Sequence, residues 1–130
     1  MIEINKDKIN FGNYNIKEKL KESIEFLGDI YYIKTHNALT RLEKNDVLVY
    51  ESVPGTAVKN FIDSSDYIEF EVSAEGEASI ILAVEDGIKF NLYIDNNEYK
   101  NDVTLTGGKL NINVISNNNF VKIRVDKNGK

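Results

Sequence analysis

Seven tyrosines and no tryptophan stand among the 130 residues, and an outward tyrosine offers a flat apolar face with a hydrogen-bonding tip. Such side chains stack on sugar rings. Tyr31, Tyr32, Tyr50, Tyr67, Tyr93 and Tyr99 fall in strand-like segments, and Tyr93 is the clearest case of a tyrosine opposite an apolar stripe. Tyr31, Tyr50 and Tyr93, joined by Asp95 and Asn97 of the adjacent turn, form the candidate ligand-binding set. Tyrosine is also an ordinary strand former and is common in subunit contacts, which explains the same residues without a ligand.

Other residue types offer less. Asp95-Asn96-Asn97-Glu98 and Asp63-Ser64-Ser65-Asp66 cluster oxygen ligands, so calcium at Asp95/Asn97 or Asp63/Asp66 is conceivable. Neither has EF-hand spacing, and plain Asx turns account for both. His36 is the single histidine, too few for a multi-histidine metal site, and no serine lies in a nucleophile elbow. Glu43 and Glu51 flank a turn at Lys44-Asn45-Asp46 and are the one carboxylate pair expected to face each other across a hairpin. Gly107-Gly108-Lys109 lacks the spacing of a phosphate-binding loop and turns a hairpin instead. No catalytic residue and no metal set is therefore assigned.

Composition narrows the partners. Sixteen basic against twenty-one acidic residues give a net charge of −5, which repels nucleic-acid phosphates and anionic membrane surfaces. The lysines at 17, 19 and 21 alternate with glutamates, and Arg41 and Arg124 are the only arginines. The longest apolar run, Ala78 to Val84, is far short of the roughly 20 residues of a membrane-spanning helix. No basic and apolar leader opens the chain, so the expectation is a protein that acts in the cytoplasm or leaves as part of an assembly. Cysteine is absent, and with 42% hydrophobic and 28% charged residues a core can form without disulfides.

The elements that must position these residues are mainly strands. From residue 66 onward apolar and polar residues alternate: Ile68, Phe70 and Val72; Ile88, Phe90, Leu92 and Ile94; Val103 and Leu105; Leu110, Ile112 and Val114; Val121, Ile123 and Val125. Period 2 predicts strands with one buried face. Ala78 to Val84 is apolar on both faces, as a central strand is. Upstream, strands are expected near residues 2–4, 9–11, 29–35, 39–43, 47–51 and 56–62. In 16–27 the apolar positions 16, 20, 24 and 27 share a helical face, with Gly28 as a stop, although a Gly28-Asp29 hairpin turn between strands fits as well. Residues 126–130 read as a frayed tail.

Phe90 to Asp95 followed by Thr104 to Val114 resembles the hairpins of small β-sandwich modules appended to bacterial polysaccharide-degrading enzymes and surface proteins. The stretch Leu48-Val49-Tyr50-Glu51-Ser52-Val53-Pro54-Gly55-Thr56-Ala57-Val58 is similar to one in short clostridial-type proteins loosely labelled endosialidase. That resemblance implies cleavage of polysialic acid, or a part in a phage-like spike. Two arginines are one fewer than the three with which propeller sialidases clamp their substrate, and the chain is too short for such a propeller.

The expectation is one all-β domain, an antiparallel β-sandwich of jelly-roll or immunoglobulin-like type with 9 to 11 strands and one optional helix at 16–27. Its expected role is a non-catalytic binding or structural module that presents a face to a protein partner or to a second copy. A carbohydrate-binding module using outward tyrosines comes next, and a glycan-active enzyme third.

Overall fold

The structure, a computed structural model, describes residues 2–85, 89–99 and 103–127, with side chains for all of these except 99 and 103–106. In chain order the strands are β1 (Ile2–Asn5), β2 (Lys8–Phe11), β3 (Leu20–Phe26), β4 (Asp29–Thr35), β5 (Thr40–Lys44), β6 (Val47–Val53), β7 (Ala57–Asp63), β8 (Tyr67–Ser73), β9 (Glu77–Ala83), β10 (Asn91–Ile94), β11 (Asn97–Tyr99), β12 (Val103–Thr106), β13 (Lys109–Ile115) and β14 (Val121–Asp126). They form two antiparallel seven-stranded sheets: sheet A in the order β1-β2-β7-β8-β14-β10-β11, and sheet B in the order β12-β13-β9-β6-β5-β4-β3. The fold is an all-β sandwich.

Alternation explains the core. Ile68, Phe70 and Val72 of β8 and Ile123 and Val125 of β14 point inward from sheet A, and meet Ile33, Leu42, Tyr50, Ile80, Leu82, Leu110 and Ile112 from sheet B. Tyr50 packs edge-on against Phe11 and Phe70, at ring separations of 5.2 and 5.6 Å, so one tyrosine of sheet B is sunk among the rings of sheet A. In the β10 segment Leu92 is buried, Phe90 and Ile94 pack against the core, and Lys89 is exposed, as the alternation predicts. Ile88 lies outside the described residues.

Several expectations are corrected. Residues 16–27 contain no helix; β3 runs through Leu20–Phe26 and pairs with β4 from Leu20↔Thr35 to Phe26↔Asp29. Positions 16, 20 and 24 are four apart, an interval that both a helix and a strand place on one face, and Glu22 interrupts the inward row that Leu20, Ile24 and Phe26 complete. Between Ile94 and Lys109 the alternation predicts one strand, at Val103 and Leu105, and two are present: β11 ends in sheet A and β12 begins in sheet B. With β11 and β3 the described strands number 14. Of the expected frayed tail, Asp126 pairs with Tyr67 and Lys127 donates its backbone N–H to Asp66 at 2.8 Å, and residues 128–130 lie outside the described residues.

The two ends of the sandwich differ. At one, a buried chain of hydroxyls closes the gap: Thr35 to Thr40 at 2.8 Å, Thr40 to the carbonyl of Thr56 at 2.9 Å, and the Thr56 hydroxyl to Ser52 at 2.8 Å and Tyr50 at 2.7 Å. Gly12, at φ +93°, lies so near that a Cβ there would run into the Thr56 carbonyl. At the other end, where the β3–β4 and β5–β6 turns lie, a cleft of about 250 Å³ opens between the sheets.

Candidate functional site

The outer face of sheet A carries the densest set of aromatic and hydrogen-bonding groups. Register places Glu98, Tyr93, Arg124, Glu69 and Ile62 in one row across β11, β10, β14, β8 and β7. Arg124 is fixed from two sides: Nε donates to Asp126, two residues along its own strand, at 2.7 Å, and a terminal nitrogen donates to Glu69 on β8 at 2.9 Å. These bonds, to Glu69 first, push the guanidinium pKa up. Its plane also lies over the Tyr67 ring, 4.2 Å from the centroid. Tyr93 faces Arg124 from the opposite side, and both tyrosines are half-buried. Two strand spacings and a two-residue offset separate Tyr67 from Tyr93, about 12 Å between Cα atoms.

Beside this row is a shallow hollow of about 250 Å³, bordered by Lys8, Asn60, Glu69, Glu71 and Lys122 over the buried Phe70. A bulge between Lys59 and Ile62 turns Asn60 to φ 57°, and its side-chain amide donates to Glu71 at 3.0 Å. Lys122 reaches Glu69 at 4.0 Å. The charges are thus largely paired among themselves, beside the rings of Tyr67 and Tyr93. Such a face can stack an apolar ring surface and hydrogen-bond its edge.

The five residues of the expected ligand set do not come together. Tyr93 lies on this face. Tyr31 is on the inner side of β4 and lines the cleft at the open end, where burial, ahead of the opposing charge of Lys44, raises its hydroxyl pKa. Tyr50 is a correction: it is 0% exposed, with its hydroxyl bound to Thr56, and cannot meet a ligand. In Val47–Val53 the terminal valines are exposed, and the bulge opposite Leu42 and Glu43 sets Tyr50 and Ser52 inward. Asp95 and Asn97 build the β10–β11 turn: Asp95 is at φ 51° and its carboxylate accepts the backbone N–H of Lys122 at 2.9 Å, and the Asn97 amide donates back to the Asp95 carbonyl at 3.4 Å.

The remaining candidates also have structural partners. The Asp63 carboxylate and the Ser64 carbonyl accept from the ammonium of Lys127, both at 2.6 Å, so a protein cation already neutralises the Asp63/Asp66 turn. Among the described residues no three acidic or histidine side chains are placed to share a metal ion. Glu43 and Glu51 do not stand opposite each other in the β5–β6 hairpin: register pairs Glu43 with Leu48 and Arg41 with Glu51, and Arg41 bridges the two carboxylates, bonded to Glu43 at 2.7 Å and to Glu51. His36 is in the β4–β5 loop, its backbone bonded to Leu39 and its carbonyl packed against Gly55.

Arg124, Glu69 and Tyr67 were not in the expected set. A signal existed: each of the two arginines is followed two residues later by a carboxylate, Arg41-Leu42-Glu43 and Arg124-Val125-Asp126, which in a strand shares its face. Comparison with protein-family models, with curated proteins and with solved structures gives no match.

Proposed function

We propose that this protein is a non-catalytic binding module whose outer sheet A face takes a neutral, polyhydroxylated ligand of the oligosaccharide class. The observation that carries the reading is an arginine locked by Glu69 and Asp126, with Tyr93 opposite it in register on β10 and the Tyr67 ring beneath its guanidinium from β8. Stacking needs rings held in place before the ligand arrives, and the arginine lies against that of Tyr67. Because Arg124 and Lys122 are engaged by Glu69 and Asp126, and the Glu71 carboxylate accepts from the Asn60 amide, the face favours hydroxyl groups over a charged substrate. A hydrolytic role has less support: the carboxylates Glu43 and Glu51 are bridged by the Arg41 guanidinium, where a glycosidic bond would need room.

Self-association is the second reading, favoured by Val53 and Ile115, both more than half exposed and on the outer face of sheet B. A neutral-glycan array probed with the wild type, Tyr93→Ala and Tyr67→Ala tests the first reading, and light scattering over a hundredfold concentration range tests the second. Saturable binding lost in both tyrosine variants supports the glycan face. Binding to no glycan, or binding indifferent to both substitutions, overturns it, and a concentration-dependent mass would then turn attention to sheet B.

A further inference from the structure

Four hairpins among the described residues are joined by two residues that both lie in the left-handed region: Leu27–Gly28, Asn45–Asp46, Asp95–Asn96 and Gly107–Gly108. Three of them use only asparagine, aspartate and glycine, which tolerate that conformation. The β3–β4 turn instead puts leucine at φ 52°, where a branched side chain crowds its own backbone, and leaves it 77% exposed. Neither property helps the chain fold.

Leu27 is not isolated. The neighbouring tips of β3–β4 and β5–β6 are tied together, because the backbone N–H of Asn45 donates to the Ile30 carbonyl at 2.8 Å, the Ile30 N–H returns a bond to the Asn45 side chain at 3.0 Å, and the Asn45 amide donates to Asp29 at 2.8 Å. On these braced tips Ile30 is 56% and Val47 65% exposed. Leu27 also borders the open-end cleft, whose floor is apolar, with Ile9, Phe26, Val49 and Phe61, and whose charged lining is Asp7, Asp29 and Asp63 against Lys44 alone. Asp29 is shared with Lys44 at 3.5 Å and Asp63 with Lys127, whereas among the described residues Asp7 has neither ion pair nor hydrogen bond. An apolar lip above an apolar floor, with the unpaired Asp7 carboxylate at its rim, complements an aliphatic group that carries positive charge.

We infer that this end of the sandwich is a second binding surface, distinct from the sheet A face, which docks a short apolar, lysine- or arginine-flanked segment of a partner protein, with one side chain entering the cleft beside Leu27. Leu27 is kept in an unfavourable conformation for contact with that segment.

Amide and methyl NMR of the full chain, titrated with the acetylated and amidated peptide Lys-Leu-Leu-Lys and with its charge-reversed counterpart Glu-Leu-Leu-Glu, tests this directly. The expected result is saturable shifts confined to Leu27, Ile9, Val49 and Phe61 with the lysine peptide, at least tenfold weaker with the glutamate peptide. Leu27→Asn should weaken the lysine peptide at least fivefold and raise the thermal midpoint by about 3 °C, since asparagine accepts the turn geometry. Equal binding of the two peptides, shifts outside the cleft, or no saturation overturns the inference. A Leu27→Asn protein that melts below the wild type also overturns it, because the leucine would then be serving the fold. A wild-type mass that doubles with concentration while Leu27→Asn stays monomeric would assign the surface to a second copy and overturn the charged-segment docking.

Discussion

The chain's two arginines occupy equivalent positions on opposite outer faces of the sandwich. Arg41 on sheet B bonds through Nε to Glu43, two residues on, and across to Glu51; Arg124 on sheet A bonds through Nε to Asp126, two residues on, and across to Glu69. Both cross-strand partners are directly opposite in register. The clamps are alike and their neighbours are not: the sheet B row continues into Lys34 and Ile81, whereas the sheet A row continues into Tyr93, with Tyr67 under the guanidinium. A cation bridging two carboxylates is thus a general solution to placing acidic residues side by side on a half-buried sheet. Sheet B also sets a tyrosine, Tyr32, opposite the carboxylate two residues past its arginine; what distinguishes the sheet A face is Tyr93 directly opposite the arginine and the guanidinium lying over the Tyr67 ring.

The comparison can be broken most severely from beneath. Phe70 is fully buried under the sheet A face and in ring contact with Tyr50 and Phe61, so Phe70→Ala should cost about 3–4 kcal/mol in chemical denaturation. A loss below about 1 kcal/mol would mean that the aromatic cluster does not support this face. Next in size, Tyr93→Ala should weaken any glycan that the wild type captures by about tenfold or more, roughly 1.4 kcal/mol, whereas Lys34→Ala in the corresponding sheet B row should leave affinity unchanged. Equal losses in the two variants would erase the distinction between the faces.

The core that both faces share has its own reporter. Burial, opposed by hydrogen bonds from Thr56 and Ser52, raises the Tyr50 pKa well above its ordinary value of about 10. The unfolded chain ionises this phenol first, so its contribution to stability is complete below about pH 10 and is lost as pH rises beyond it. Tyr50→Phe should cost about 1 kcal/mol at neutral pH, through the lost bond to Thr56, and should flatten the alkaline decline in thermal midpoint. Part of the slope should remain, because burial also raises Tyr31. The smallest effects belong to the clamps: Arg41→Ala and Arg124→Ala should each change stability by no more than about 1 kcal/mol, and the double variant should be additive, as for surface ion pairs on separate sheets. Non-additivity beyond about 0.5 kcal/mol would show that the faces communicate through the core.

The legible part of this molecule is the part governed by period 2. Ile68, Phe70 and Val72, or Leu110, Ile112 and Val114, alternate without interruption, and their burial follows directly. Legibility failed where polar residues face inward. Glu22 in β3 and Ser52 in β6 break the apolar row, so a helix was allowed at 16–27 and Tyr50 was turned outward. The cost of burying Ser52 and the Tyr50 hydroxyl is met by Thr56 and Thr40, residues that only the folded chain brings together. The site was half legible for a related reason. Alternation places Tyr93 outward, but only strand order joins β10 to β14 and β14 to β8, and strand order is a property of long-range pairing that no local spacing encodes.

That pairing also sets an order of events in folding. Sheet A is held in one piece by β14, which inserts between β8 and β10; without it, β1, β2, β7 and β8 on one side and β10 and β11 on the other share no backbone ladder. A nascent chain therefore cannot close this sheet until residues 121–126 are available, and before then β8 presents an open, apolar-backed edge to its surroundings. Completion depends on contacts between residues far apart in sequence, the kind that form slowly. The Tyr67, Arg124 and Tyr93 group, which takes one residue from each of the three strands at that junction, consequently cannot form before β14 docks.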